Sequence, residues 1–203
     1  MNYSYSMINL VLTFMGTKNS VLKKSILLVW LGLIVFCLSY YFIHPERFTA
    51  DEITFFLQKF NAQILIVYFI ISVLRGFTLI PSTPFVLAGA IILPEQPFLA
   101  LFISLLSIGI SATMIYYFSD YLNLGQRIEK VYPVHKIKQT LNKPIGVFAI
   151  FLWSFFPVIP TDIVCYAAGA VKMNFIKFIT AVVLGELLTC TLYIFFVGKL
   201  FVN

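Results

Sequence analysis

The sequence predicts an all-α integral membrane protein: one N-terminal transmembrane helix, then an inverted repeat of a re-entrant helical hairpin plus a transmembrane helix. Three observations predict it. The 203-residue chain is 61% hydrophobic and 11% charged, with a mean hydropathy of +0.97, whereas a soluble domain is about 45–50% apolar and about 25% charged. Its apolar residues fall in runs long enough to enter or cross a hydrocarbon core. Two of those runs are broken centrally by Pro-x-x-Pro, at 81–84 and 157–160. Neither a water-soluble enzyme nor a disordered chain has this composition.

Residues 1–22 read as an N-terminal arm, since they lack the charged start and cleavage site of a signal peptide and the arginines of a transit peptide. Residues 23–44 hold the first transmembrane helix, built on the charge-free run Ser25 to Ile43. Repeat 1 then covers 45–122. Thr49 to Phe60 mixes Asp51, Glu52 and Lys59 with Ile53, Phe55, Phe56 and Leu57, which suits a helix lying in the interface. Residues 62–93 are apolar apart from Arg75 and the prolines. One straight helix over them would be about 46 Å long, too long for one crossing, and two crossings need roughly forty residues. A hairpin that enters the membrane and returns fits the length, with its turn at Pro81, Ser82, Thr83 and Pro84 and a small Gly89 beyond. Residues 98–122 form a transmembrane helix with Ala100, Ser104, Ser107 and Ser111 on one seam.

Repeat 2 covers 123–200. It opens with a basic interfacial linker interrupted by Pro133. A second re-entrant hairpin, 144–171, turns at Pro157 and Pro160 and carries Gly169 beyond them. The last transmembrane helix, 174–198, has Ala181, Gly185 and Thr189 on one face. In both halves a broken hairpin, an Ala-Gly pair and a spanning helix with a small seam follow in the same order. Lys18, Lys23 and Lys24 and the stretch Arg127 to Lys143 place the N-terminus and the linker in the cytoplasm, so that the second repeat is inverted relative to the first. Inverted repeats with broken elements are a transporter device.

The segment Arg75-Gly-Phe-Thr-Leu-Ile-Pro81-Ser-Thr-Pro84, followed by Leu87-Ala-Gly89, resembles the first re-entrant motif of the DedA superfamily, the VTT-domain or SNARE-associated Golgi protein family. The segment Phe156 to Gly169, with Pro157, Pro160, Asp162 and Tyr166, is similar to its second motif. The resemblance covers roughly Leu57 to Gly198. It implies two facing re-entrant hairpins and the movement of a phospholipid or polyprenyl-phosphate lipid between leaflets, with proton dependence in bacterial members. Ser154 stands where the family's second motif usually has an arginine. Ser82 and Thr83 stand where bacterial members often have a glutamate, and Ile91 to Pro97 replaces a glycine-rich turn.

Ionisable side chains inside spanning segments cost about 2.5–3.5 kcal/mol to insert and need partners. Arg75, Asp162 and Glu186 qualify. Arg75 of the first hairpin and Asp162 of the second are expected to approach one another, like the family's cross-hairpin charge pair with its signs exchanged. Arg75 suits phosphate through paired N–H donors, and Glu186 is the candidate proton-titrating group. Ser154 and Tyr166 complete the candidate substrate or ion site. The plainer readings are that Arg75 snorkels to the interface, Asp162 caps a helix, Glu186 is a structural hydrogen bonder and Tyr166 packs the core.

No cofactor and no metal are expected, because Cys37, Cys165 and Cys190 lie far apart and His44 and His135 fall outside the spans. The net charge of +6 is read as a topology signal and not as a nucleic-acid surface. Expected partners are membrane lipids, with protons and a homo-oligomer left open. The expected location is a bacterial cytoplasmic membrane, with an organelle membrane as the alternative. No clustered acids or Ser–His pair point to an enzyme. Proton-coupled carriage of a small solute and a non-transport role in membrane assembly or homeostasis are the competing functions.

Overall fold

The computed structural model describes the backbone of residues 3–128, 134–156 and 160–197, with side chains in those ranges except at 3–20, 127–128, 134–136 and 197. Every regular element among them is helical. Four segments are long and apolar enough to cross a membrane: Val21–Ile43, Asn61–Thr78, Pro97–Tyr121 and Phe175–Phe196.

Helix α1 runs unbroken over Tyr3–Ile43, so the N-terminal residues expected to form a separate arm continue the first spanning helix. Its interior contains no proline, and an isolated Gly16 or Gly32 does not stop a helix. His44 and Pro45 end it, and a 3-10 turn, Pro45–Phe48, leads to α2, Ala50–Gln58. Thr49 caps α2 by accepting the Glu52 N–H, at 3.3 Å. The face of α2 carrying Ile53 and Leu57 is buried against Phe85 and Ala88 further along the chain, while Asp51 and Glu52 are exposed.

In the first half, α3, Ile64–Leu74, is followed by a 3-10 turn, Arg75–Thr78, a break, and α4, Thr83–Ile92. The break falls earlier than the prolines suggest. Leu79 takes the left-handed conformation at φ 61°, and Ser82 is already the cap of α4. Thr83 and Pro84 are therefore helical, in keeping with proline's fixed φ and missing donor at the start of a helix. Gly89 lies inside α4 and not at a turn. A Cβ on it would collide with the phenol of Tyr68 on α3, so the glycine permits close packing of the two arms. Helix α5 follows over Pro97–Tyr121, and Ala100, Ser104, Ser107 and Ser111 are all buried along it.

The linker holds α6, Leu124–Ile128, and α7, Val134–Leu141. Pro144 starts α8, Pro144–Phe155, and α9 covers Thr161–Ala170. The expected turn residue Pro157 lies outside the described residues, whereas Pro160 is the cap of α9. Gly169 again sits within a helix, where a Cβ would meet Ser119 of α5 at 2.9 Å. Asn142, just before α8, accepts the Asn174 N–H at 2.9 Å, so the chain entering α8 meets the chain leaving α9. Asn174 also caps α10, Phe175–Leu192, whose last turn, Tyr193–Val197, widens into a π-helix.

The packing crosses between halves. Helices α3 and α8 lie on the long helices of their own halves, α5 and α10. Helix α9 lies on α5, and α4 lies on α2 and also on both α5 and the π-helical end of α10. Helices α5 and α10 touch at the centre. Helix α1 stays at the edge, with Ile34 buried and Trp30, Cys37 and Tyr41 packed against the core.

Candidate functional site

Arg75 opens the 3-10 turn that follows α3, and its side chain is buried in the interior. Its residue is 7% exposed. Nη1 donates to Asp162 Oδ2 at 3.0 Å and to the Ile80 carbonyl at 3.1 Å. Asp162 stands in the first turn of α9, where the helix dipole favours a carboxylate, and is 5% exposed. The residues that sequence spacing brings together in expectation thus meet as an ion pair linking the two broken segments. Arg75 does not snorkel, and Pro160, with no side-chain bond, occupies the cap position that Asp162 might otherwise serve.

Glu186 projects from α10 and is 2% exposed. Thr161 donates to its Oε1. Thr161 and Asp162 are adjacent, so the first turn of α9 is held on one side by Arg75 and on the other by Glu186. Tyr166, one turn further along, donates to the Phe77 carbonyl at 3.3 Å and accepts from Trp30 Nε1 at 3.1 Å. Its ring lies 4.8 Å from that of Trp30. Tyr166 therefore packs and bonds at once, tying α1 and the first break to α9.

Ser154, at the position of the family arginine, is buried on α8 with its hydroxyl unpartnered. It faces Gly185, whose added Cβ would stand 2.7 Å from Ser154 Cβ. That contact is backbone-close, and an arginine there would need a different separation of α8 and α10. Ser154 does not touch the ion pair through any hydrogen bond.

Three contributors escape motif reading. Gly76 follows Arg75 directly, and a Cβ on it would meet Asp162 Oδ1 at 2.8 Å and clash with Ser111, so its lack of a side chain lets the pair close. Thr161 matters through its hydroxyl on Glu186. Tyr68 bonds Ser104 at 2.9 Å, fixing α3 on α5 beneath the arginine. The Arg75–Gly dipeptide and the serine seam carry part of this signal; Tyr68 carries none that distinguishes it from other apolar-face tyrosines.

The space beside Arg75 is small. Between Tyr68, Ser72, Arg75, Ser82 and Ser107 lies a cavity of about 10 Å³, near the lower limit for a single water. Arg75 and Asp162 meet through direct contact, without an intervening gap. Chemically, the arrangement offers one guanidinium, two carboxylates and the orphan hydroxyls of Ser111 and Ser154 in a water-poor setting. Among the described residues no group of three or more His, Cys, Asp or Glu side chains is placed to hold a metal ion.

Residues 80–199, more than half of the chain, match the model of the VTT domain. The chain belongs to the VTT-domain family. This is the domain of DedA and SNARE-associated Golgi proteins, and with the four apolar helices it makes the chain an integral membrane protein. No curated protein and no solved structure matches the chain. The VTT match includes Asp162, Glu186, Ser154 and Tyr166 but begins five residues after Arg75. The cation of the pair thus comes from the segment just ahead of the matched VTT region.

Proposed function

We propose that this VTT-domain protein is a non-enzymatic transporter that moves a phospholipid or polyprenyl-phosphate between leaflets. The observation supporting it is the buried Arg75–Asp162 pair that joins the two broken segments. A guanidinium held in low dielectric is a strong phosphate ligand once its carboxylate is displaced or protonated. Maintaining such a pair costs desolvation, which a purely structural contact between apolar helices does not require. In this reading α3–α4 and α8–α9 are re-entrant hairpins of an inverted repeat. The contact of Asn142 with Asn174, and the crossed packing of α4 and α9, support that reading. The lysine-rich end of the second half and the N-terminus face the cytoplasm of a bacterial cell. Transport opens the closed contact by rocking one half against the other, and Glu186 takes up and releases a proton as Thr161 follows α9.

The test is purified protein in liposomes carrying a fluorescent phospholipid or polyprenyl-phosphate, with leaflet exposure read by a membrane-impermeant quencher, with and without a pH gradient. Wild-type protein speeds exposure, and Arg75→Ala and Asp162→Asn abolish the increase. Solute uptake without lipid exposure identifies a small-solute carrier. Neither activity, or full lipid exposure in both variants, rejects the proposal.

A further inference from the structure

The outer flank of the second half has a groove that the transport site does not use. It runs between α8 and α10, holds about 410 Å³ and is open along its side. Its wall is apolar, made by Pro144, Val147, Phe148, Phe151, Ala181 and Leu184. That volume is within the range of small-molecule sites, about 300–1,000 Å³. The groove changes character at one end. There Asn142 and Lys177 complete the lining, and Lys177 Nζ donates to the Asn142 carbonyl at 3.0 Å. Lys143, which caps α8, and Lys138, whose carbonyl accepts from the Asn142 amide, are exposed on the same joined segments. Among the described residues none of these three lysines forms an ion pair with a carboxylate, whereas Lys172 nearby is paired with Asp120 at 2.8 Å. The N-terminal ends of α8 and α10 meet at this point and add partial positive charge of the same sign.

We infer that the α8–α10 groove holds one anionic phospholipid, its phosphate at Lys177 and Lys143 and an acyl chain along Phe148, Phe151 and Leu184. The charge disfavours a zwitterionic lipid as the occupant, because Lys177 lines the groove mouth, Lys143 and Lys138 stand on the adjoining segments, and among the described residues no acid lines the groove to receive an amine. The apolar wall excludes a free phosphate, which leaves it unused. This site is separate from the Arg75–Asp162 pair and stands whether or not the protein transports lipid.

The test uses the delipidated full chain in neutral detergent, titrated with phosphatidylglycerol, phosphatidylcholine or glycerol phosphate, with bound species counted by native mass spectrometry. Phosphatidylglycerol is expected to fill one site about tenfold more tightly than phosphatidylcholine, and glycerol phosphate to give no adduct. Lys143→Gln/Lys177→Gln lowers phosphatidylglycerol affinity about tenfold, to the level of phosphatidylcholine, whose own affinity changes less. Thr180→Trp, which fills the groove, lowers binding of both lipids, whereas Lys24→Gln on α1 changes neither. Equal affinity for the two lipids overturns the inference, as does an undiminished phosphatidylglycerol site in both groove variants. Glycerol phosphate binding as tightly as the lipid, a loss with Lys24→Gln equal to that of the groove pair, or a dimer that Thr180→Trp disrupts without any lipid preference would each do the same.

Discussion

The first half, α3–α5, carries the cation of the buried pair, and the second, α8–α10, carries both buried acids. Glu186 finds its hydrogen bond inside its own half, from Thr161. Asp162 reaches across to Arg75, whose guanidinium also donates to the Ile80 carbonyl beside it. Either half by itself therefore holds an unpaired charge in an apolar setting, a state costing several kcal/mol. The difference teaches that the charges set how the halves register against each other, while the glycines and serines set how closely they approach.

The largest expected effect comes from unbalancing that pair. Asp162→Ala leaves a buried guanidinium alone and destabilises the protein by about 3–5 kcal/mol, read as a loss of thermal midpoint in detergent. Replacing both partners, Arg75→Met with Asp162→Met, recovers most of that stability and leaves lipid exposure in liposomes absent. If the double variant keeps lipid exposure, the charges serve register alone.

Closeness comes next. Gly185→Ala puts a Cβ 2.6 Å from the Phe151 carbonyl, and Gly76→Ala puts one 2.8 Å from Asp162. Each is expected to cost about 1–3 kcal/mol by overpacking, whereas Gly109→Ala, with its nearest neighbour at 3.9 Å, is neutral or stabilising by up to about 1 kcal/mol. Thermal unfolding of the three variants side by side ranks them. Gly76→Ala should also reduce lipid exposure more than Gly185→Ala, because it alone touches the pair.

Smaller still is the cap of α2. Thr49→Ala removes the acceptor of the Glu52 N–H and costs about 1 kcal/mol, visible as faster hydrogen exchange at the start of α2 and nowhere in the second half. The smallest change in stability belongs to Glu186→Gln, whose amide oxygen still accepts from Thr161. Its expected signature is functional: any dependence of lipid exposure on a pH gradient flattens while the thermal midpoint moves little.

Much of this was legible in the residues. The apolar runs locate the long helices, and the rare charges Arg75, Asp162 and Glu186 locate the polar core, because hydrocarbon makes an unpaired ion too costly to leave in place. The breaks were legible only approximately. Proline announces a helix start as readily as a turn, so Pro84 and Pro160 open helices, and the break before Pro81 contains Leu79 in a backbone conformation that no composition rule assigns to leucine. Gly89 and Gly169 look like turn residues in one dimension and act as packing residues in three. The ties of Tyr68 and Trp30 depend on contacts between distant segments, which local patterning does not encode.

The crossed packing has a consequence for how the molecule is made. Val86 and Ala90 of α4 are covered partly by Ala100 and Ile108 of α5 and partly by Cys190 and Ile194 at the far end of α10. A nascent chain that has already threaded its first half into the lipid still lacks the α10 part of that cover, and α4 waits until nearly all the helices have left the ribosome. Insertion and closure are thus separate events, and a stalled or shortened translation product presents the quality-control proteases with an open flank on α4 instead of a finished molecule.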